Sequence, residues 1–416
     1  MINPALEYNL RLPRLILVAL ALITLLNSSC SFIASSSDAL INRISLDPPY
    51  HLDNPTGHQF HQSLFVADLH ADTLLWERNL FERYERGHLD VPRTIEGNIA
   101  LQAFTVFTKI PWPYVRLFST PWLETYYSQH AADVGTILAM AQLGDERKRG
   151  SLKERALYYG ERFQEWADES EGKLTFIKSS QDLRDYLTRR KKTSFFTAGF
   201  LGLEGAHALE GDVKNLQEFY DTGFRMIAVV HFFDNEFGGS STGDQKWGLQ
   251  KPKGEELIKE LGYRKMILDL AHASHKTIDD IMGLYDSKPS YPLPGIVVSH
   301  IGIQETCERG ERNLTNRHIK RIAQHGGLIG IGLWKSATCG EDVEKTVDAI
   351  EAVKKLLGNV DSIAVGSDFD GAVKTHFDAS GMPLLTQALI SRSFTDQEVR
   401  QIMGENLRDF LLTNLP

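Results

Sequence analysis

The stretch FVADLHADTL, residues 65–74, places two carboxylates and an imidazole at alternate positions near the end of an apolar run. Alternate side chains of a β-strand share one face, so Asp68, His70 and Asp72 would point the same way. Two interpretations are open for this motif alone. It is either a divalent metal site, since histidine is the commonest metal ligand, or a hydrogen-bonded cluster at a strand end.

Similar residues end most of the other apolar runs of the chain, namely Glu204, His231, His272, His300 and Asp368. A single histidine at a strand end is more often a structural hydrogen-bond partner than a ligand. Seven such polar residues in one register, counting His70 and Asp72, are hard to explain in that way. The pattern therefore favours a metal centre.

The ligand types indicate which ions and which reaction to expect. Imidazoles and carboxylates without a cysteine suit Zn, Mn or Fe. More than four ligands are too many for one tetrahedral zinc, which favours two ions that share a carboxylate, and Glu204 is the natural bridge. A water held between two ions becomes hydroxide near neutral pH, so hydrolysis is the predicted reaction class.

Eight strand-like runs carry these residues and alternate with amphipathic segments. The runs are SLFVADLH, IALQAFTVF, FTAGFLGLE, MIAVVHF, MILDLAH, GIVVSH, GLIGIGLW and SIAVGSDF. Continuous apolar strands separated by helices indicate parallel pairing with both faces covered, and eight units predict an α/β fold, a (β/α)8 TIM barrel. Barrel enzymes build their sites at the carboxyl ends of the strands, where the seven side chains would converge.

Two regions depart from this repeat. Residues 109 to about 192, between the second and third runs, begin with aromatic residues and continue with helical spacing. They predict a helical insertion after strand 2, either an extra packing layer or a lid or pocket wall. The tail, residues 383–412, predicts extra C-terminal helices, with Ser393 or Thr395 as an N-cap.

The amino terminus has the pattern of an export signal. Arg11 and Arg14 precede an apolar run at residues 15–26 that is short for a bilayer span, and small residues follow it. We therefore expect an exported chain, either membrane-anchored or free in a periplasmic or other extracytoplasmic space. The predicted division is a signal peptide or lipoprotein signal and anchor at 1–30, a tether at 31–58 and a single barrel at 59–416.

Three cysteines are present, and each bears on the compartment. Cys30 stands where a bacterial lipoprotein carries its lipid, although Asn27 fits that signal poorly, so lipidation, cleavage and an uncleaved anchor all stay open. Cys307 and Cys339 can form a disulfide outside the cytoplasm, with two free buried thiols as the alternative.

The overall charge argues against one class of partner. The 416 residues carry a formal net charge of -9. A protein that holds nucleic acid normally presents a basic surface, so no nucleic-acid partner is expected.

Several motifs together resemble a known family. DLHADT, GLEGAHAL, DLAHAS, VSHIG, ERN and GSDFDG are similar, in order and spacing, to motifs of the membrane or renal dipeptidases, peptidase family M19, within the amidohydrolase-like barrels. The similarity runs from about residue 60 to 412. It implies a metallo-dipeptidase whose substrate is a dipeptide, attached to a membrane through the N-terminal signal, anchor or lipid, with a homodimer left open.

The resemblance also implies a ligand set for two zinc ions per chain. His70 and Asp72 look like ligands of one Zn2+, and His272 and His300 look like ligands of the other. Glu204 matches the carboxylate that bridges both ions.

Further positions resemble the family's catalytic and substrate-binding residues. Asp368 is similar to the acid that takes a proton from the attacking hydroxide and delivers it to the leaving amine. His231 matches the histidine that contacts the substrate and the developing oxyanion. Arg312 looks like the arginine that binds the substrate's C-terminal carboxylate. Arg309 is a rival for that role, and Asn313 after Arg312 favours Arg312.

Two other function classes fit part of this pattern. Another binuclear-metal hydrolase on the same barrel, such as a lactonase, phosphotriesterase or TatD-like nuclease, is the first alternative. A nuclease would favour a basic mouth, and a carboxylated-lysine enzyme would need a lysine at a strand end, where this sequence has none. A binding protein that has lost activity is disfavoured because all expected ligands and Asp368 are present.

Other polar residues near the strand ends have plainer interpretations. His207 is expected in a loop, Asp269 is either an orienting partner of a ligand or an ordinary buried acid, and Asp370 is expected to hold the turn at Gly371. His318, in a helical segment, is expected at the surface.

Overall fold

The structure is a computed structural model that describes residues 38–51, 55–111, 133, 146–244 and 247–416. Eight parallel strands form its centre, with bounds β1 Val66–Ala71, β2 Ile99–Phe107, β3 Thr197–Glu204, β4 Phe224–Ala228, β5 Ile267–Asp269, β6 Ile296–Ile301, β7 Leu328–Ile331 and β8 Ile363–Val365. β8 pairs with β1 through Val365 and Asp68, which closes the ring. The predicted (β/α)8 barrel is therefore confirmed.

Helices surround the ring. They are α1 Pro55–Gln62, α2 Val91–Glu96, α3 Leu152–Glu169, α4 Ser180–Arg190, α5 Leu216–Thr222, α6 Lys253–Arg264, α7 His275–Ser287, α8 Asn316–Gln324, α9 Lys335–Thr338, α10 Val343–Leu357, α11 Met382–Ser391, α12 Asp396–Arg400 and α13 Asn406–Asn414. Ser274, Thr315 and Asp342 begin α7, α8 and α10 with side chains that accept from backbone N–H groups. Such caps satisfy donors that have no partner inside the helix.

All residues of the eight ring strands are buried. This agrees with the continuous apolar runs in the sequence, since strands covered on both faces have no solvent face to show as alternation. Polar residues within these strands therefore require internal partners.

Three of the predicted site residues lie three residues beyond the ends of their strands. β4 ends at Ala228, β5 ends at Asp269 and β8 ends at Val365, so His231, His272 and Asp368 each follow a strand by three residues. The backbone has positive φ at His272 and Asp368, 63° and 61°. A left-handed residue cannot continue a strand, so these apolar runs turn into loops before the polar side chain is reached.

The structure describes mainly the second half of the insertion after β2. α3, the strand Leu174–Phe176 beside β3, and α4 are described, and Phe163 of α3 packs on Phe104 and Phe176 at ring distances of 4.8 and 4.9 Å. This half is a packing layer on the barrel. Most of the aromatic half lies outside the described residues.

The tail forms the expected closing helices. Thr395 begins α12 with a capping box to Glu398, and a π-helical turn at Gln401–Glu405 leads into α13. Within the part of the chain that the structure describes, no helix is long and apolar enough to span a bilayer. The predicted signal at 1–30 lies outside the described residues.

Candidate active site

A cavity opens at the carboxyl ends of the strands. Its lining includes Asp72, Phe107, Ile110, Glu204, His231, Phe232, Thr242, His272, His300, Arg312, Asn313, Trp334, Ser336, Asp368 and Val373. The structure thus brings the predicted polar residues of six different strands or the loops after them to one place. His70 lies beneath them, fully buried.

Glu204 is at the centre of this group. Its Oε1 atom lies 3.6 Å from Nε2 of His70, 3.2 Å from Nε2 of His272 and 3.4 Å from Nε2 of His300. Asp72 Oδ2 lies 3.5 Å from Nε2 of His70. A single carboxylate oxygen therefore faces three imidazole nitrogens that come from three other strands.

These residues form overlapping sets of potential metal ligands. The sets are His70, Asp72 and Glu204; Glu204, His272 and His300; and His70, His300 and Asp368, each with its donor atoms within 4.8 Å of one another. Nε2 of His70 has no hydrogen-bond partner among the described residues, although it is buried. An orphaned buried nitrogen within a set of carboxylate oxygens fits a bound cation.

The electrostatics of the cluster point the same way. Burial and the nearby Asp72 raise the pKa of Glu204 well above its ordinary value. Burial tends to lower the pKa of His70, but Glu204 and Asp72 outweigh it and raise this pKa to about 10. Burial lowers the pKa of His272 and of His300 well below the ordinary value. Without a cation, the cluster must hold protons to limit repulsion among its acids.

Hydrogen bonds from neighbouring side chains orient the cluster. Thr105 donates to Asp72 at 2.7 Å. Ser299 Oγ lies 3.1 Å from Nδ1 of His70 and 3.0 Å from Nδ1 of His300. These contacts leave the Nε2 atoms of both imidazoles facing Glu204. Such partners fix the ring orientation and tautomer of ligand histidines.

The first acid of the opening motif has a different place. Asp68 accepts from the backbone and side chain of Ser367 at 2.7 Å each and from Gln102 at 2.6 Å. Burial raises the pKa of Asp68 to about 6, and these hydrogen bonds oppose the rise. Asp68 therefore ties β1 to β2 and to the loop after β8, while the other two polar residues of the motif face Glu204.

Asp368 lies beside the cluster on the loop after β8. Its Oδ1 atom is 4.0 Å from Nε2 of His70. Burial raises the pKa of this carboxyl group to about 8, although His70 opposes the rise. An acid with a pKa near neutrality can both accept and deliver a proton.

His231 approaches Glu204 from the other side. Its Nε2 lies 3.5 Å from Oε2 of Glu204, and its ring packs on Phe232 with centroids 4.1 Å apart. Burial lowers the pKa of His231 well below the ordinary value, as does nearby His207. The imidazole is therefore neutral at physiological pH.

Arg312 places a guanidinium group at the wall of the cavity. Its Nη2 donates to the carbonyl of His300 at 3.2 Å, and its guanidinium lies over Trp334 at 5.8 Å from the ring centroid. Arg312 lines the cavity, whereas its sequence rival Arg309 is not among the described lining residues.

The loop that carries Arg312 is held at both sides. Asn313 donates to the carbonyls of Cys307 and Ala337 at 2.7 and 3.2 Å. Cys307 and Cys339 form the disulfide considered for them, which joins this loop to the end of α9. These links join the loops after β6 and β7 beside the cavity.

Other expectations for single residues are corrected or refined. His318 is buried at 1% exposure, so its expected surface position is wrong, because α8 turns this side chain toward Asp279 of α7. His207 follows β3 in a short 3-10 turn and contacts the carbonyl of Phe233 at 3.1 Å. Asp269 accepts from the backbone N–H groups of Ala271 and Ser299 at 2.9 Å each.

Sequence reasoning overlooked some residues that contact the cluster. Ser299 and Thr105 were not singled out, and neither were the aromatic walls Phe107, Phe232 and Trp334. A signal did exist for the first two, since each is a polar residue inside an otherwise apolar strand run. The aromatic walls gave no comparable signal, because aromatic residues near strand ends are common in any core.

The chain resembles known proteins in sequence. The sequence model of a family described as membrane dipeptidase (peptidase family M19) matches residues 56–409. Dipeptidase tcpJ of Claviceps purpurea is 24% identical over 331 residues, which cover 77% of this chain and 68% of that protein.

Solved structures share the fold. A metallopeptidase from Rhodobacter sphaeroides, bound to a phosphinate mimic of the dipeptide L-Ala-D-Ala, gives a TM-score of 0.68 at 22% identity and covers 85% of this chain and 99% of its own. The probable dipeptidase PvdM from Pseudomonas aeruginosa gives 0.66 at 16% identity, with 86% and 97% covered.

Proposed function

The chain belongs to peptidase family M19, the membrane dipeptidases, and is a metallo-dipeptidase; we propose that it cleaves dipeptides with two zinc ions held around Glu204. His70 and Asp72 would hold one ion, His272 and His300 would hold the other, and Glu204 would be shared by both. The choice of zinc rests on the imidazole and carboxylate donor set without cysteine.

One observation supports this proposal most directly. The Oε1 atom of Glu204 lies within 3.6 Å of three imidazole nitrogens that belong to the two ligand sets. A bound pair of divalent cations supplies Lewis acidity toward a carbonyl oxygen and lowers the pKa of a bound water. The protein contributes the fixed donor geometry and a buried, low-dielectric surrounding.

Substrate length follows from the placement of Arg312. Its guanidinium binds the C-terminal carboxylate of the dipeptide, because a planar fork of donors matches a carboxylate. The carboxylate is then held beside His272, from which Nη2 of Arg312 is 3.5 Å away. Only the neighbouring peptide bond reaches the centre of the cluster. The phosphinate mimic of L-Ala-D-Ala in the Rhodobacter sphaeroides relative supports a dipeptide of this size.

Asp368 and His231 carry the remaining chemistry. Asp368 accepts the proton of the attacking water and passes it to the departing amine. His231, which is neutral because of its burial, donates a hydrogen bond to the oxygen that becomes negative as the carbonyl is attacked.

The place of action is part of the proposal. We infer that the chain is exported and held at a membrane by residues 1–30 or by lipid on Cys30, with the barrel in an extracytoplasmic space. The basic and apolar pattern of that segment and the Cys307–Cys339 disulfide support export. Metabolic labelling with a fatty acid, compared between the natural chain and Cys30→Ala, tests lipid attachment.

A dipeptide panel tests the activity itself. Purified protein should contain two ions per chain, hydrolyse dipeptides with a free C-terminal carboxylate, lose activity on chelation and regain it with Zn2+. One ion per chain at full activity would contradict the Glu204 bridge.

Arg312→Leu tests the substrate contact, with Arg309→Leu as the matched control. The first change should raise KM for dipeptides about 10- to 100-fold with little change in kcat, and the second should leave KM unaltered. Both variants should handle a C-terminally amidated dipeptide equally poorly. If Arg312→Leu raised KM as much for the amidated substrate as for the free dipeptide, Arg312 would not contact the substrate carboxylate.

A further inference from the structure

The hydroxyl group of Ser299 touches both halves of the proposed metal centre. Ser299 lies in β6 directly before His300 and is fully buried. Its Oγ contacts Nδ1 of His70 at 3.1 Å and Nδ1 of His300 at 3.0 Å. Under the proposed function these imidazoles bind different ions, so one hydroxyl contacts a ligand of each.

The protons available on the imidazoles determine which hydrogen bonds the Ser299 hydroxyl can make. A serine hydroxyl has one proton to donate and two lone pairs to accept with. Under the proposed function the Nε2 atom of each imidazole is a ligand, so the single proton of each neutral ring is on Nδ1. The two lone pairs of Ser299 Oγ can then accept from both Nδ1–H groups. Asp269 Oδ1 accepts from the backbone N–H of Ser299 at 2.9 Å, which holds this residue in place.

The alternative arrangement is less consistent with these contacts. If Ser299 donated to one imidazole, that Nδ1 would lack a proton, and the proton of the neutral ring would be on Nε2, where it would block a metal ion. The two contacts of Ser299 Oγ therefore suit metal binding only when both Nδ1 atoms carry protons.

We propose that Ser299, which Asp269 holds in place through its backbone N–H, is a shared positioning residue. It fixes the tautomer of both His70 and His300 and so orients one ligand of each zinc ion. The inference rests on the proposed function and deepens it. With both Nδ1 atoms protonated, both Nε2 atoms present lone pairs toward Glu204. Removing the hydroxyl should therefore weaken both ions at once.

Thr105 offers a contrasting variant within the same cluster. Its hydroxyl donates to Asp72, a ligand of one ion only, at 2.7 Å. Ser380 offers a neutral control, since its hydroxyl donates to the buried Asp378 at 2.6 Å, away from the cluster. All three hydroxyl groups belong to buried residues and make hydrogen bonds, so the variants Ser299→Ala, Thr105→Val and Ser380→Ala each lose buried hydrogen bonds.

The test measures zinc affinity directly on the full chain. Metal-free protein is titrated with Zn2+ in a chelator buffer that sets the free ion concentration, and bound zinc is counted. Ser299→Ala should weaken both ions about 10- to 100-fold, the usual cost of losing a partner that orients a ligand. Thr105→Val should weaken chiefly one ion, and Ser380→Ala should match the unaltered chain.

A second readout separates positioning from general stability. The rise in Tm on adding Zn2+ should shrink in Ser299→Ala, whereas a purely structural role would lower Tm equally with and without zinc. Two ions bound by Ser299→Ala within twofold of the unaltered affinities, or a loss confined to one ion, would overturn the inference while the proposed function stands. An unaltered chain that binds fewer than two ions would overturn both.

Discussion

Two clusters of buried charge lie at the same end of the barrel, and they are built in opposite ways. The first is the Glu204 cluster, made of His70, Asp72, Glu204, His272 and His300. The second is the Arg78 cluster, made of Arg78, Asp38, Asp370 and His88. Glu204 and Arg78 are both buried, at 2% and 7% exposure. The two clusters differ in whether neighbouring side chains neutralise the buried charge.

The Arg78 cluster balances its own charge. Arg78 lies 2.7 Å from Asp370 and 3.2 Å from Asp38. Burial alone would raise the pKa of Asp370, but Arg78 and His88 hold it below the ordinary value. Burial alone would lower the pKa of Arg78, and Asp370 and Asp38 raise it instead. Of the two acids in the cluster, only Asp38 has a raised pKa, chiefly because of its burial.

This second cluster supports the loop that carries Asp368. Asp370 accepts from Thr73 at 2.8 Å and from the backbone of His88 at 2.6 Å, and its own N–H donates to Nδ1 of His88 at 2.8 Å. The loop needs such support because Asp368, Asp370 and Ala372 all have positive φ, near 60°. Asp370 therefore does more than hold the local turn at Gly371, because it also binds Thr73 and His88 of the segment after β1.

The Glu204 cluster is not balanced by the side chains it contains. The pKa of Glu204 is raised chiefly by its burial, and so is that of Asp368 beside the cluster. Burial of charge alone therefore does not mark a functional site. A buried network with matched ion pairs supports structure, whereas a buried group of acids that can be relieved only by protons or a cation is suited to bind a metal ion.

Glu204→Gln should have the largest effect of the changes that test this contrast. The amide cannot bridge two cations as an anion, so bound zinc should fall to one ion or fewer, and kcat/KM should drop on the order of 10⁴-fold. The metal-free protein should be at least as stable as before, since one buried acid is gone. Glu161→Gln, an exposed partner of Arg147, is the control and should change neither quantity.

Asp368→Asn should affect catalysis almost as strongly without removing the metals. We expect kcat to fall about 10³-fold, because proton transfer to the leaving amine is lost. Zinc content should remain two ions per chain. Unchanged turnover would show that another group moves the proton.

Arg78→Met should affect stability instead. It leaves Asp370 buried without its cation, which should lower the free energy of unfolding by about 3 kcal/mol. Arg83→Met, which removes an exposed pair with Glu96, should cost no more than about 1 kcal/mol. Denaturant unfolding of both variants decides the matter, and equal losses would remove the distinction between the two clusters.

The pH dependence of the metal-free protein should show the smallest effect. The folded pKa is about 8 for Asp368 and about 10 for His70, above the ordinary values of 3.8 and 6.5. Each group therefore stabilises the fold fully below its ordinary pKa and loses that contribution as pH rises through the folded pKa. Chelated protein should lose about 3 kcal/mol of unfolding free energy per pH unit between about pH 6.5 and pH 8, where both groups contribute, and about half of that from there to about pH 10.

Zinc-loaded protein is the comparison for that measurement. Bound cations take the place of the protons, so its stability should not fall over the same pH range. Buried histidines outside the cluster should not interfere, since His61, His88 and His207 have pKa values lowered to about 4 by burial and are neutral throughout. A parallel fall in both forms would assign the effect to other groups.

The two clusters also differ in how visible they were in the sequence. His70, Glu204, His300 and Asp368 were found because each follows an apolar run in a repeated pattern, and the barrel then brings the runs together. Arg78 and His88 lie in an irregular segment between β1 and α2, where no period relates them to Asp370. Nothing local shows that an arginine in a loop will be buried against an aspartate almost three hundred residues away.

The eight-unit barrel and the polar residues that meet at one end of it could be predicted from the sequence, because hydrophobic periodicity and strand ends are local properties of the chain. The packed barrel was needed to show that Asp68 links strands, that Arg312 rather than Arg309 is among the described lining residues of the cavity, and that Ser299 contacts two imidazoles. These outcomes depend on distances between segments remote in sequence, which are fixed only when the ring closes and the loops pack on it.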